Sequence, residues 1–186
     1  MSISSGELIT TTYETEYGYG LLVWKNGLLW SHQLPAMTSG GIGCNKSKSK
    51  AETGTLVSVK KYNRNMRRIT SLLESYFQGR SISFEAEKVH LDCSQWSQFE
   101  NDIAEALWKV PYGNLLTYAQ LARSAGHTGA HRAVGNFMAK NPFPVLLPCH
   151  RVVRADSKPG GYSGGKEWKM KLASIEGSLS PQVLIK

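Results

Sequence analysis

The stretch TYAQLARSAGHTGAHRAVGNFMAK, residues 117–140, decides how the second half of this chain folds. Thr117 followed three residues later by Gln120 is a capping box, in which the hydroxyl and the amide side chain each satisfy a backbone N–H at a helix start. A short helix then runs through Leu121 to Ala125, and Gly126 stops it. A second helix is predicted to begin near Thr128 and to run to about Lys140. Ala130, Ala133, Val134, Phe137 and Met138 are expected on its inner side, with Arg132, Gly135, Asn136 and Ala139 sharing much of the outer side. Two short helices joined by a tight glycine-containing turn in a basic region suggest a helix-turn-helix unit. One arginine among small residues is an unusual outer face. It lets a helix backbone approach another surface closely, although helix packing alone also explains a helical glycine.

Upstream, Ser97 and Glu100 repeat the capping device. Phe99, Ile103, Ala106, Leu107 and Val110 then recur at helical spacing until Pro111 and Gly113 break the pattern. Downstream, Asn141-Pro142-Phe143-Pro144-Val145-Leu146-Leu147 reads as a rigid, buried approach, because each proline restricts the backbone on both sides of it. It leads into Pro148-Cys149-His150-Arg151-Val152, which places a thiol directly before an imidazole. A cysteine beside a base is a candidate nucleophile, since the thiolate and not the thiol attacks. The glycine-rich run Gly160-Gly161-Tyr162-Ser163-Gly164-Gly165 follows and allows backbone to approach a ligand. Trp168, Leu172 and Ile175 then mark a last helix ending at Glu176-Gly177. On these residues alone, a Cys-His hydrolase and a helix-turn-helix regulator both stay open.

The amino-terminal half reads as a small α/β domain. Gly20 to Lys25 and Leu28 to Trp30 flank Asn26-Gly27, the pair best suited to a type I′ hairpin turn. Residues 37–54 have little apolar content and are expected to form a mobile loop, followed by a strand from Thr55 to Val59. A helix is predicted around Asn65 to Gln78, with Ile69, Leu72, Leu73, Tyr76 and Phe77 on one face and Gly79 as its stop. An extended segment near Ser81 to Val89 completes the domain. The expected division is 1–90 and 91–186, giving an α+β fold whose second domain is mainly helical.

The 186 residues can bury a real core without a disulfide framework. Cys44, Cys93 and Cys149 are odd in number and lack CxxC spacing, which favours a reducing intracellular setting. No secretory leader is evident, and no apolar run approaches the ~18 residues of a spanning helix, so a soluble protein is expected. Net charge is +8, and from Lys109 to Lys171 ten basic residues face only Asp156 and Glu167. A basic surface around a reactive cysteine suits a polyanion, most simply nucleic acid, as well as it suits an ordinary solvated surface. His32, Cys44, His90 and Cys93 invite a zinc reading, but their spacing supports none.

The ordered combination RAVG, NPFPVLL, PCHRVV, GGYSGG and IEG across residues 91–177 closely resembles the O6-alkylguanine-DNA alkyltransferases. The resemblance implies an RNase H-like amino-terminal domain and a winged-helix-like helix-turn-helix. It implies a DNA-repair protein that moves an alkyl group, typically methyl, from O6 of guanine to its own Cys149, once per molecule, without metal or organic cofactor. His150 would take the thiol proton through a bound water, with Glu176 orienting the imidazole. Asn141 would link the recognition helix to the cysteine loop, and Tyr118 would donate to the guanine ring and crowd the 3′ phosphate. Arg132 would fill the stack vacated by the extruded base. Ala130 and Gly135, with Thr117 at the start of the preceding helix, would meet DNA in the minor groove. Tyr162 and Ser163 would cover the alkyl group, and the carbonyls of Cys149 and Val152 would accept from the guanine amino group. The implied partner is double-stranded DNA containing O6-alkylguanine, with no membrane. A monomer is expected, cytoplasmic in a prokaryote or nuclear in a eukaryote. Ala139-Lys140 departs from the arginine-glycine pair usual before NP in this family.

Overall fold

The computed structural model describes residues 8–36, 63–156 and 160–178. The expected loop at 37–54, the strand at 55–59, Cys44 and Lys158 lie outside the described residues. Residues up to Arg80 together with Val89–Asp92 form one compact unit. Ser81–Lys88 and the chain from Cys93 onward form a second. Both units combine small sheets with helices, a mixed α/β architecture.

In the first unit, β1 (Leu8–Thr15), β2 (Gly18–Lys25) and β3 (Leu28–Gln33) form an antiparallel sheet in chain order. Asn26 and Gly27 both take positive φ, 52° and 81°, the backbone that a type I′ turn requires. Strand β1 lies beyond the elements expected from sequence, because its run of threonines in place of apolar residues blurs the alternation that marks a half-buried strand. A bulge between Val23 and Trp24 shifts the β2–β3 register. Leu29 and His32, three residues apart, are therefore both buried. Gly20 is dictated by its neighbour, because a Cβ there would collide with the Tyr13 ring. Helix α1 (Arg64–Phe77) covers this face with Met66, Ile69, Leu73, Tyr76 and Phe77, the Phe77 ring stacking on Tyr13 at 5.8 Å. Leu72, expected on that stripe, lies at its half-buried margin.

The extended segment expected near 81–89 is not a strand. Glu85–His90 is a 3-10 helix in which Glu87 is the buried position, three residues after the buried Phe84 that precedes it. In the second unit α2 (Gln98–Trp108) starts at the Ser97–Glu100 capping box, and α3 (Tyr118–Ser124) starts at the Thr117–Gln120 box. Gly126, at φ +82°, lets the chain turn back on α3, with the His127 N–H donating to the Ala122 carbonyl. Helix α4 (His131–Ala139) begins three residues later than expected, because Gly129 takes φ +87° and no side chain caps the helix. Its buried stripe is only Val134, Phe137 and Met138, so Ala133, expected inside, is exposed, and Ala130 is half-buried. A two-stranded parallel pair, β4 (Leu116–Thr117) with β5 (Val152–Val153), and α5 (Lys166–Ile175) complete the unit. No helix among the described residues is long and apolar enough to cross a membrane.

Candidate active site

Cys149 opens a single 3-10 turn, Cys149–Arg151, that runs straight into β5. The pairing Leu116↔Val152 and Thr117↔Val153 pins this turn beside the start of α3, which brings Tyr118 into the neighbourhood of the thiol. The approach to the cysteine is fastened by one side chain. Asn141 donates from Nδ2 to the Leu147 carbonyl at 2.9 Å and to Cys149 Sγ at 2.8 Å, while its Oδ1 accepts from the Phe143 N–H at 2.9 Å. Trp108 Nε1 donates to the Leu146 carbonyl at 2.9 Å. Within this loop the buried Val145 adopts φ +71°, a backbone region that costs a β-branched residue about 1–3 kcal/mol and that tends to occur where function constrains the chain.

The thiol is buried, and burial pushes it up to about 11, against the pull of the Asn141 amide, the Lys169 charge and the Tyr162 side chain. Cys149 is therefore protonated at rest and needs a base. His150 is equally buried, and its Nε2 sits 2.7 Å from Glu176 Oε1. Burial lowers the imidazole below its ordinary value, with Arg151 and Lys169 acting in the same direction and Glu176 against them. A neutral imidazole with one nitrogen held by a carboxylate can accept a proton at the other. Burial pushes the Glu176 carboxyl up, but its bonds and charge pairing with His150 and Arg151 outweigh this and hold it near 2.

The partners of Glu176 resolve an oddity of the sequence. A carboxylate at the C-cap of α5 meets the unfavourable end of the helix dipole. Arg151 compensates, with Nε 3.0 Å from Oε2 and Nη2 3.0 Å from Oε1, and the Gly113 N–H donates to Oε2 at 3.0 Å. Arg151 also donates from Nη1 to the Val110 carbonyl at 2.6 Å. Lys169, 2% exposed, donates to the Val152 carbonyl at 2.6 Å and lies 5.7 Å from the centre of the Tyr118 ring. Burial lowers its ammonium to about 8.

Arg151 and Lys169 were legible in the sequence only as positive charges. Both are buried, which corrects their place in the basic surface. No spacing rule marks them, although Arg151 directly follows the Cys-His pair.

Of the other expected positions, Tyr118 is half-buried, and burial raises its phenol, as does the thiolate once Cys149 is ionised. Gly160 packs so closely that a Cβ there would lie 3.0 Å from the Tyr118 hydroxyl. Tyr162 is half-buried and Ser163 exposed. Thr117 caps α3 with its own hydroxyl. Arg132, Asn136 and Ala139 are exposed along α4, with Gly135 half-buried between them. The nearest atom to a Cβ at Gly135 would be in the Tyr118 ring, 4.0 Å away, so packing within the protein does not demand glycine there. His32 bonds the Tyr13 hydroxyl at 2.8 Å and His90 lies 3.3 Å from the Asn65 amide; among the described residues no group of three or more His, Cys, Asp or Glu could hold a metal.

A family model for the DNA-binding domain of 6-O-methylguanine DNA methyltransferase matches residues 98–178. A methylated-DNA–protein-cysteine methyltransferase of Methanothermobacter thermautotrophicus is 30% identical over 128 residues, covering 66% of this chain and 70% of that protein. One of Methanosarcina acetivorans is 37% identical over 106 residues, 57% of this chain and 65% of its own length. Among solved structures, the Mycobacterium tuberculosis O6-methylguanine methyltransferase superposes with a TM-score of 0.72 at 26% identity, over 97% of this chain and 99% of the other. The M. tuberculosis OGT protein in complex with DNA gives 0.69 at 26% identity, over 95% and 97%.

Proposed function

The chain belongs to the methylated-DNA–protein-cysteine methyltransferase family of DNA-repair enzymes, and on that premise we propose that Cys149 is the acceptor of an alkyl group from O6 of guanine. The buried row Asn141–Cys149 and His150–Glu176 is the observation that carries this reading. His150, neutral and oriented through Nε2, takes the thiol proton from its Nδ1 side by way of a water. The thiolate sulfur then bonds to the alkyl carbon, the O6–carbon bond breaks, and its electron pair stays with guanine. The proton lost by the thiol is returned to the guanine ring, through Tyr118 as donor, so the base regains its keto form. The new thioether has no leaving path, and each molecule acts once.

A thiol this deeply buried cannot reach a base stacked in a duplex, so the target is extruded. In this reading α3 and α4 form a winged-helix-like helix-turn-helix whose exposed Arg132 replaces the base in the stack. Thr117, Ala130 and Gly135 let the protein backbone lie against the minor groove. Tyr162 and Ser163 cover the alkyl group, and the Cys149 and Val152 carbonyls face the guanine amino group. Lys169 adds a positive charge beside the forming thiolate. We assign residues 91–186 to this chemistry and read the amino-terminal domain as RNase H-like, with a monomer bound to duplex DNA carrying O6-alkylguanine.

Intact-protein mass after mixing with duplex DNA containing O6-methylguanine tests this directly. One methyl-sized increase is expected, mapped to the Cys149 peptide and lost in Cys149→Ala, which keeps its DNA affinity. Unchanged mass under saturating DNA binding would overturn the reading.

A further inference from the structure

The Glu176 carboxylate serves two neighbouring side chains. His150 holds Oε1 at 2.7 Å, and Arg151 spans both oxygens from Nε and Nη2 while its Nη1 is tied to the Val110 carbonyl. A carboxylate committed to a guanidinium fork has less electron density to offer a third donor. The fork also places a permanent positive charge beside the imidazole, which resists a second one. We propose that Arg151 is a positioning residue of the alkyl transfer: by gripping Glu176 from both oxygens it holds that carboxylate against His150 while restraining the basicity of the imidazole, so that His150 is neutral when the thiol must be deprotonated.

The inference rests on the transfer reaction proposed above. A lone Glu–His pair in a buried site would favour imidazolium, which cannot accept the thiol proton. The other groups around His150 are Lys169 of α5, which acts on the imidazole in the same direction as Arg151, and the adjoining Cys149. Tyr112, at the far end of the cluster, donates to the Ile175 carbonyl at 3.0 Å, and its ring centre lies 6.0 Å from the guanidinium. Lys169 is bonded to the Val152 carbonyl, whereas Arg151 bonds Glu176 directly.

The test is the single-turnover rate of transfer from O6-methylguanine duplex DNA across pH, for the wild type, Arg151→Gln and Arg151→Lys. Loss of the fork is expected to move the acid limb to higher pH by about half a unit or more in Arg151→Gln, so that the rate on that limb falls at least about threefold. Arg151→Lys, which keeps the charge without the fork, should move it less and in the same direction. If Arg151→Gln fails to fold, the displacement in Arg151→Lys decides. An acid limb superimposable on wild type, with lowered thermal stability alone, would overturn the inference and leave Arg151 as a structural bridge. A wild type that acquires no methyl group would instead refute the transfer reaction.

Discussion

Asn141 shows how much one side chain can carry. It closes the turn at Phe143, holds the Leu147 carbonyl and donates to the reactive sulfur, all away from water. Removing it leaves a backbone N–H and a carbonyl buried without that partner, and such groups each cost about 1–3 kcal/mol. Asn141→Ala is expected to lower stability by about 2–4 kcal/mol, read from urea unfolding. The same variant removes one of the groups that oppose burial at Cys149. Its thiol should therefore titrate at still higher pH in alkylation assays with a small electrophile. An unchanged thiol profile would confine Asn141 to the architecture. As a terminator before a proline this residue is plain in sequence, whereas its bond to a sulfur eight residues away exists only because the intervening chain doubles back.

At the scale of elements, the capping boxes at Ser97 and Thr117 and the glycine after α3 were readable because each acts within three or four residues. The start of α4 was not, because a turn through Gly129 competes with helix at Thr128 and neither has a decisive local marker. The face of α4 is the sharper question. Glycine inside a helix costs about 0.5–1 kcal/mol relative to alanine, and the space at Gly135 accepts a Cβ in ordinary van der Waals contact. Gly135→Ala is expected to raise stability by about that amount, visible as a higher Tm, while weakening binding to duplex DNA. Unaltered DNA affinity with a stabilised fold would remove this face from the interface. Within the active-site loop, the positive φ of Val145 is a feature no pattern of proline and leucine announces.

Taken as a whole molecule, the buried cluster makes stability depend on acid. His150 is lowered from its ordinary value of 6.5, so below that pH the unfolded chain takes a proton that the fold refuses, and stability falls. Glu176, lowered from 4.5 to about 2, contributes stability that is complete above 4.5 and is lost as pH falls towards 2. Its contribution is on the order of 3 kcal/mol. Urea midpoints should decline below pH 6.5 and drop further between 4.5 and 2, the latter step being absent in Glu176→Gln; a flat profile down to pH 3 would show that the cluster is not protonated as described. The sequence by itself determined the helices that begin with capping boxes, the hairpin at Asn26-Gly27, the Cys-His pair and, through an ordered set of motifs, the family. Each of these is local in the chain or a matter of order along it. Only the tertiary structure decided that Glu176 meets Arg151 across 25 residues and Gly113 across 63, and that Arg151 and Lys169 are interior charges. Such pairings follow from which faces are driven out of water together. A charge in the sequence carries no mark of which opposite charge will share its desolvation.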